Sequence, residues 1–104
     1  MSTITSPIHV NSLSELRDRL ENDDLQVISS IFSALKKGIL RKRKHRIGVL
    51  LVQVGSDRSE LTKLTLPRTE WKKTLNGVMK VFAKYEMFEE CMEARELLKE
   101  LEIS

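Results

Sequence analysis

The chain has 104 residues, of which 40% are hydrophobic and 32% charged, with a formal net charge of +3. These values describe one folded domain, 1–104, and exclude wholesale disorder. The longest strictly apolar run, Val49-Leu50-Leu51-Val52, is far shorter than the roughly 18 residues of a spanning helix, so no membrane partner is expected.

Met1–Pro7 has neither the basic region nor the apolar core of a signal peptide. The single cysteine, Cys91, has no partner for an internal disulfide. Together these predict a cytoplasmic protein. A chain of this length buries a modest core, so marginal stability is expected unless a partner contributes.

Residues 1–10 read as a flexible tail or, through Ile8-His9-Val10, as an edge strand. Ser12 with Glu15 three residues on is a capping box that opens a helix, and Leu13, Leu16 and Leu20 supply its apolar stripe. Asn22-Asp23-Asp24 interrupts the stripe and offers a second N-cap, which predicts two short helices or one bent near Asp23. Leu25, Ile28, Ile31, Phe32, Leu35 and Ile39 continue at helical spacing. That helix is expected to end near Gly38 in the left-handed cap position, with Lys36 and Lys37 at the negative end of its dipole.

Arg46–Val54 is the clearest strand, and its apolar character on both faces predicts cover on both sides, from helices or from a second copy. Gly55–Ser59 is a turn cluster. A strand over about 60–66 follows, with Thr62, Leu64 and Leu66 facing one way and Leu61, Lys63 and Thr65 the other. The two strands form an antiparallel hairpin. Because two strands alone are marginal, a third is expected from the N-terminal tail, from an extension back through Ile39–His45, or from a second copy.

Pro67 stops the second strand and opens a helix of about 68–86 whose buried face carries Trp71, Leu75, Val78, Met79 and Phe82. Gly77 weakens this helix, which suggests a close approach by another backbone. The stripe changes phase near Tyr85–Phe88, and a second helix of about 88–102 carries Phe88, Cys91, Ala94, Leu98 and Leu101. The short connection makes the two antiparallel neighbours. The predicted class is α+β: an N-terminal helical segment, an antiparallel β-hairpin, and a C-terminal helical hairpin covering a sheet face.

Charge is segregated along the chain. Residues 1–35 sum to −3 and residues 86–104 to −5, while Lys36, Lys37, Arg41, Lys42, Arg43, Lys44 and Arg46 put +7 into one short block. Such a block attracts phosphate backbones. No aromatic is interleaved for base stacking. The same charges equally suit a solvated connector that guards a sheet edge, or one that neutralises the acidic blocks.

Other chemistry is thinly represented. His9 and His45 have no second histidine or cysteine at ligand spacing, so no metal is expected. Glu21, Asp23 and Asp24 lack the glycine and distant glutamate of a calcium loop, and capping of a helix by Asp23 or Asp24 is the stronger reading. Cys91 lies among Glu89, Glu90 and Glu93, without the cations that activate a thiol, and reads as a packing residue. Nucleophile elbows, phosphate-binding glycine loops and paired His–acid arrangements are absent. No enzyme activity and no cofactor are expected.

Trp71, in phase with Leu75 and Val78, is expected in the core. Tyr85, Met87 and Phe88 crowd the helix junction and cannot all point inward, which makes them protein-binding candidates. The expected function is a small non-enzymatic binding or regulatory protein acting through protein–protein contacts, with homodimer formation allowed. Nucleic-acid binding through residues 36–46 is the alternative.

The segment 83–102 resembles the UVR motif, a short helical hairpin of bacterial excision-repair proteins and of some regulators of chaperone ATPases. The likeness lies in Ala83, Phe88-Glu89-Glu90, Arg95-Glu96 and Lys99-Glu100-Leu101-Glu102. Cys91 and Met92 stand where the family usually has two alanines, and Ala94 where it has leucine. The resemblance implies protein contact through the hairpin and no catalysis.

Overall fold

The computed structural model describes residues 8–55 and 61–103. The tail before Ile8 and the turn cluster after Gly55 lie outside them, as does the first residue of the strand expected from 60. A three-stranded sheet is ordered β1 (Ile8–Val10), β2 (Arg46–Val54), β3 (Leu61–Pro67). Four α-helices accompany it: α1 (Leu13–Glu21), α2 (Leu25–Leu40), α3 (Trp71–Lys84) and α4 (Phe88–Ile103). The class is α+β with the expected C-terminal helical hairpin.

The third strand comes from the N-terminal segment. Ile8 pairs with Val52 and Val10 with Val54 in parallel register, whereas β2 and β3 are antiparallel. The apolar density of β2 has a different cause from cover on two sides. A bulge leaves Val49 without a cross-strand partner, so Ile47, Leu50 and Val52 face the same way, opposite Leu66, Leu64 and Thr62. Ile47, Leu50 and Val52, with Ile8 and Val10, are buried in the core, while Leu64 and Leu66 are half-buried beside them and Thr62 is exposed. The other face carries His9, Leu51, Gln53, Leu61, Lys63 and Thr65 and is open or half-open to solvent. The expectation of helices on both faces is thus corrected: within this chain one face is covered, and the one extra residue contributes to the unbroken apolar run.

The helix α2 lies at the centre of the molecule, packing on β2 and also on α3 and α4. Val27, Ile28, Ile31, Phe32, Leu35 and Ile39 are buried around it. Phe32 meets Phe82 of α3 edge to face, with ring centroids 5.2 Å apart and planes at 83°. Trp71 is 1% exposed and its Nε1 donates to the Leu66 carbonyl at 2.9 Å, which ties the start of α3 to the end of β3.

Helix boundaries follow the caps. Ser12 Oγ accepts the Glu15 N–H at 3.3 Å, while the Glu15 carboxylate reaches back to the Asn11 N–H. Asp24 Oδ1 accepts the N–H groups of Gln26 and Val27 at 3.0 and 3.3 Å and so starts α2, which makes α1 and α2 separate helices. Residues 68–70 form a single 3-10 turn, so the α-helix begins at Trp71, three residues after the position expected from Pro67.

The C-termini are built alike. Asp23, Lys42 and Glu86 have φ near +55 to +58°. At each, the left-handed residue's N–H and the next N–H bond back into the last helical turn: Asp23 to Leu20 and Asp24 to Arg19, Lys42 to Ile39 and Arg43 to Gly38, Glu86 to Ala83 and Met87 to Phe82. This is the Schellman arrangement, here without glycine. The expected cap at Gly38 is therefore corrected to Lys42. Gly38 lies inside α2, where a Cβ would meet the Ile47 side chain, with Cγ1 at 2.6 Å.

Three further positions depart from the periodicity reading. Leu13, on the first turn of α1, is 60% exposed, and only Leu16 of that helix is fully buried. The buried stripe of α4 is Ala94, Leu97 and Leu101, with Cys91 and Leu98 at its margins and Phe88 outside it. Gly77 faces solvent, with nothing within 4 Å of the point a Cβ would occupy, so no backbone approaches it. Gly77→Ala is accordingly expected to stabilise the domain by about 0.5–1 kcal/mol through helix propensity alone. A urea-unfolding midpoint measured on both proteins checks this.

Asp24 supplies a pH-dependent prediction. Its carboxyl lies below the ordinary value of 3.8, chiefly because the Arg19 side chain bonds to it; desolvation opposes this, and the Val27 amide, the Arg19 charge and the Gln26 amide add to the lowering. Arg19 Nε lies 2.8 Å from Asp24 Oδ2. A folded-state pKa below the unfolded one stabilises at pH above the unfolded value and is lost as pH falls through the folded one. Asp24→Asn keeps a good cap but drops the ion pair. It is expected to cost about 0.5 kcal/mol at neutral pH, with the gap to the parent protein closing toward pH 3. Denaturant melts at the two pH values measure it.

Candidate functional site

Two surfaces stand out, and they share no lining residue. The first is built by the α3–α4 hairpin. The Schellman turn at Glu86 sends the chain back antiparallel, and Cys91 Sγ donates to the Met79 carbonyl at 3.4 Å across the two helices. Phe88 and Met92, one turn apart on α4, stand off the buried stripe and are 62% and 67% exposed. With Met79 and Ala83 of α3 and Cys91 of α4 they wall an apolar groove of about 370 Å³, bordered by Lys80 and Arg95.

The aromatic cluster expected at the junction is divided by the structure. Tyr85 turns the other way, 44% exposed, with its hydroxyl donating to the Asp23 carbonyl at 3.3 Å. Lys84 lies over the Tyr85 ring at 5.9 Å and pairs with Asp23 at 3.1 Å, so this corner clamps the α1–α2 turn to the end of α3. Met87 is half-buried against the core. Of Tyr85, Met87 and Phe88, only Phe88 reaches the groove. Cys91 is half-buried on its wall rather than fully packed.

The second surface gathers the basic block. Lys36 pairs with Glu93 of α4, and Arg46 Nη1 donates to Thr65 Oγ1 at 2.7 Å on the open sheet face. Lys37, Arg41, Lys42, Arg43 and Lys44 are exposed and pair with no acidic group among the described residues. Neutralisation of the acidic segments thus involves Lys36 alone within this block. A hollow of about 280 Å³ collects Lys37, Arg41 and Arg43 with Lys63 of β3. A second, of about 640 Å³, takes Arg43, Lys42, Lys44, Arg68, Trp71, Ile39, Leu101 and Glu100. A third adds Lys72 beside Arg68. Arg68 lies over the Trp71 ring at 5.4 Å.

Sequence reasoning missed Met79, Ala83 and Met92 on the groove, and Lys63, Arg68 and Lys72 on the basic surface. Phe88 and Met92 carried a usable signal: their four-residue spacing is out of phase with Ala94, Leu97 and Leu101. The three cations carried none, because only the fold brings β3 and the start of α3 beside the end of α2.

Among the described residues, no group of three or more His, Cys, Asp or Glu side chains could hold a metal ion, and no helix is long and apolar enough to cross a membrane. His9 instead contacts the Gly55 carbonyl through Nε2 at 2.7 Å. Residues 83–102 cover the last two residues of α3, the connection and α4 up to Glu102. No protein-family model matches this chain, nor does any curated protein or solved structure.

Proposed function

We propose that this chain is a small non-enzymatic protein-binding module that receives an amphipathic helix of a partner protein in the α3–α4 groove. The observation carrying this reading is the exposed Phe88–Met92 pair facing Met79 and Ala83 across a concavity. Large apolar side chains held out of a small core on a rigid helix are what a protein interface uses as anchors. Lys80 and Arg95 at its borders have no acidic partner among the described residues. They suit a helix whose apolar stripe is flanked by Asp or Glu. The likeness of 83–102 to the UVR hairpin points the same way.

A photo-crosslinking residue at position 92 of the full chain, expressed in its native host, tests the proposal. The expected product is a crosslink to an apolar helix with acidic flanks in a different protein, lost on Phe88→Ser. Crosslinks only between copies of this chain, or none, overturn it. Because Phe88 is exposed, Phe88→Ser is expected to shift stability by no more than about 0.5 kcal/mol, so lost capture reports the surface and not the fold.

A further inference from the structure

The hollow between the end of α2 and the sheet gathers four cations and shares no lining residue with the α3–α4 groove. Lys37 and Arg41, one turn apart, reach it from α2 and its cap, Arg43 from the following turn, and Lys63 from β3. Two glycines make room for it. At Gly38 the absent side chain admits Ile47, which draws α2 against the strand. At Gly48 a Cβ would strike Lys63 Cε, so Lys63 lies across the bare backbone toward the other three cations. The left-handed Lys42 turns the chain so that Arg43 donates its N–H to Gly38 O at 3.0 Å and remains beside the helix end. None of the four cations is in an ion pair with a described residue.

Four like charges gathered around one concavity repel one another, and the arrangement is stabilised by an anion that shares them. Guanidinium and ammonium groups together match phosphate oxygens. The cations continue beyond this hollow, since Arg43 also lines the adjoining one with Lys42, Lys44 and Arg68, and Arg68 the next with Lys72, an extent that suits a ligand with more than one phosphate. Bases have nothing to stack on there: the one aromatic, Trp71, is buried. We infer that this band binds the phosphate backbone of a nucleic-acid duplex without reading its sequence, with Lys37, Arg41, Arg43 and Lys63 as its principal phosphate seat.

Fluorescence anisotropy of a labelled mixed-sequence DNA duplex, titrated with the full chain, tests this. Binding is expected at roughly 50 mM salt and to weaken at least tenfold by roughly 200 mM. Changing Lys37, Arg41, Arg43 and Lys63 together to glutamine is expected to lower affinity at least thirtyfold and to reduce the salt slope by about one per lost contact. All four side chains are exposed, and circular dichroism confirms that the variant folds. An equal-charge control replaces Arg17, Lys36, Lys73 and Lys99 by glutamine and is expected to change affinity less than threefold. Equal losses in both variants, no duplex binding at low salt, or retention only on phosphatidylserine vesicles each overturn the assignment.

Discussion

Phe82→Ala is expected to destabilise the domain by about 3–5 kcal/mol, the range for emptying a fully buried aromatic position. Phe82 is 1% exposed and sits where α3 meets α2, its ring edge-on to Phe32. Its removal costs the transfer energy of the ring, the edge-to-face contact, and a cavity at the junction of two helices. A small domain has total stability on the order of 5–15 kcal/mol, so the variant retains little of it. Urea unfolding followed by far-ultraviolet circular dichroism and by fluorescence of Trp71 reads the change. A double-mutant cycle with Phe32→Leu isolates the ring–ring contribution, expected at about 0.5–1.5 kcal/mol.

The second large effect is one in which helix propensity and packing oppose each other. Gly38→Ala gains about 1 kcal/mol of propensity inside α2. Its methyl carbon would lie 2.6 Å from Ile47 Cγ1 and 3.0 Å from Cγ2, and Ile47 is itself buried. Relieving that contact moves α2 off β2 or forces Ile47 from its rotamer, at a gross cost of about 1–3 kcal/mol that is set against the propensity gain. The net expectation is destabilisation, opposite in sign to the same change at Gly77. The pair measured side by side separates backbone preference from contact. A Gly38→Ala protein as stable as the parent would show that α2 and the strand can separate at little cost.

Periodicity located every long element because burial imposes it: Leu75, Val78 and Phe82 recur at helical spacing for the same reason that they are enclosed. The short capping signals at Ser12 and Asp24 were legible because a side-chain oxygen three residues before a free amide is a local device. Helix ends were not, since Lys42 and Glu86 take a conformation for which glycine is the usual marker. The bulge at Val49 was also hidden. An apolar run reads identically whether a strand is covered twice or shifts phase once.

The site was half legible for a related reason. That Tyr85, Met87 and Phe88 could not all face the core was readable, because three large side chains cannot share one tight turn; which of them lines the groove was not, since Phe88 also fitted the stripe of α4. Its true neighbours, Met79 and Ala83, depend on how α3 and α4 rotate against each other. In the basic block, identity was visible but grouping was not. Lys36 is drawn to Glu93 and Arg46 to Thr65, while Lys63 arrives from a strand whose alternation marks it only as outward-facing.

The parallel pairing of β1 with β2 has a kinetic consequence. Ile8 meets Val52 only after α1, α2 and the whole of β2 are in place, whereas α3 and α4 meet across a three-residue turn. Chain closure over the longer span comes late, and few hydrogen bonds hold the three-residue strand once it docks. The lowest-energy excursion from the native state is therefore release of β1, which uncovers the backbone of Val52 and Val54 along one sheet edge while the helical hairpin stays closed. Among the strand amides of the described residues, those of β1 are expected to exchange first with solvent deuterium, and helix amides of α3 around Val78 and Phe82 far later.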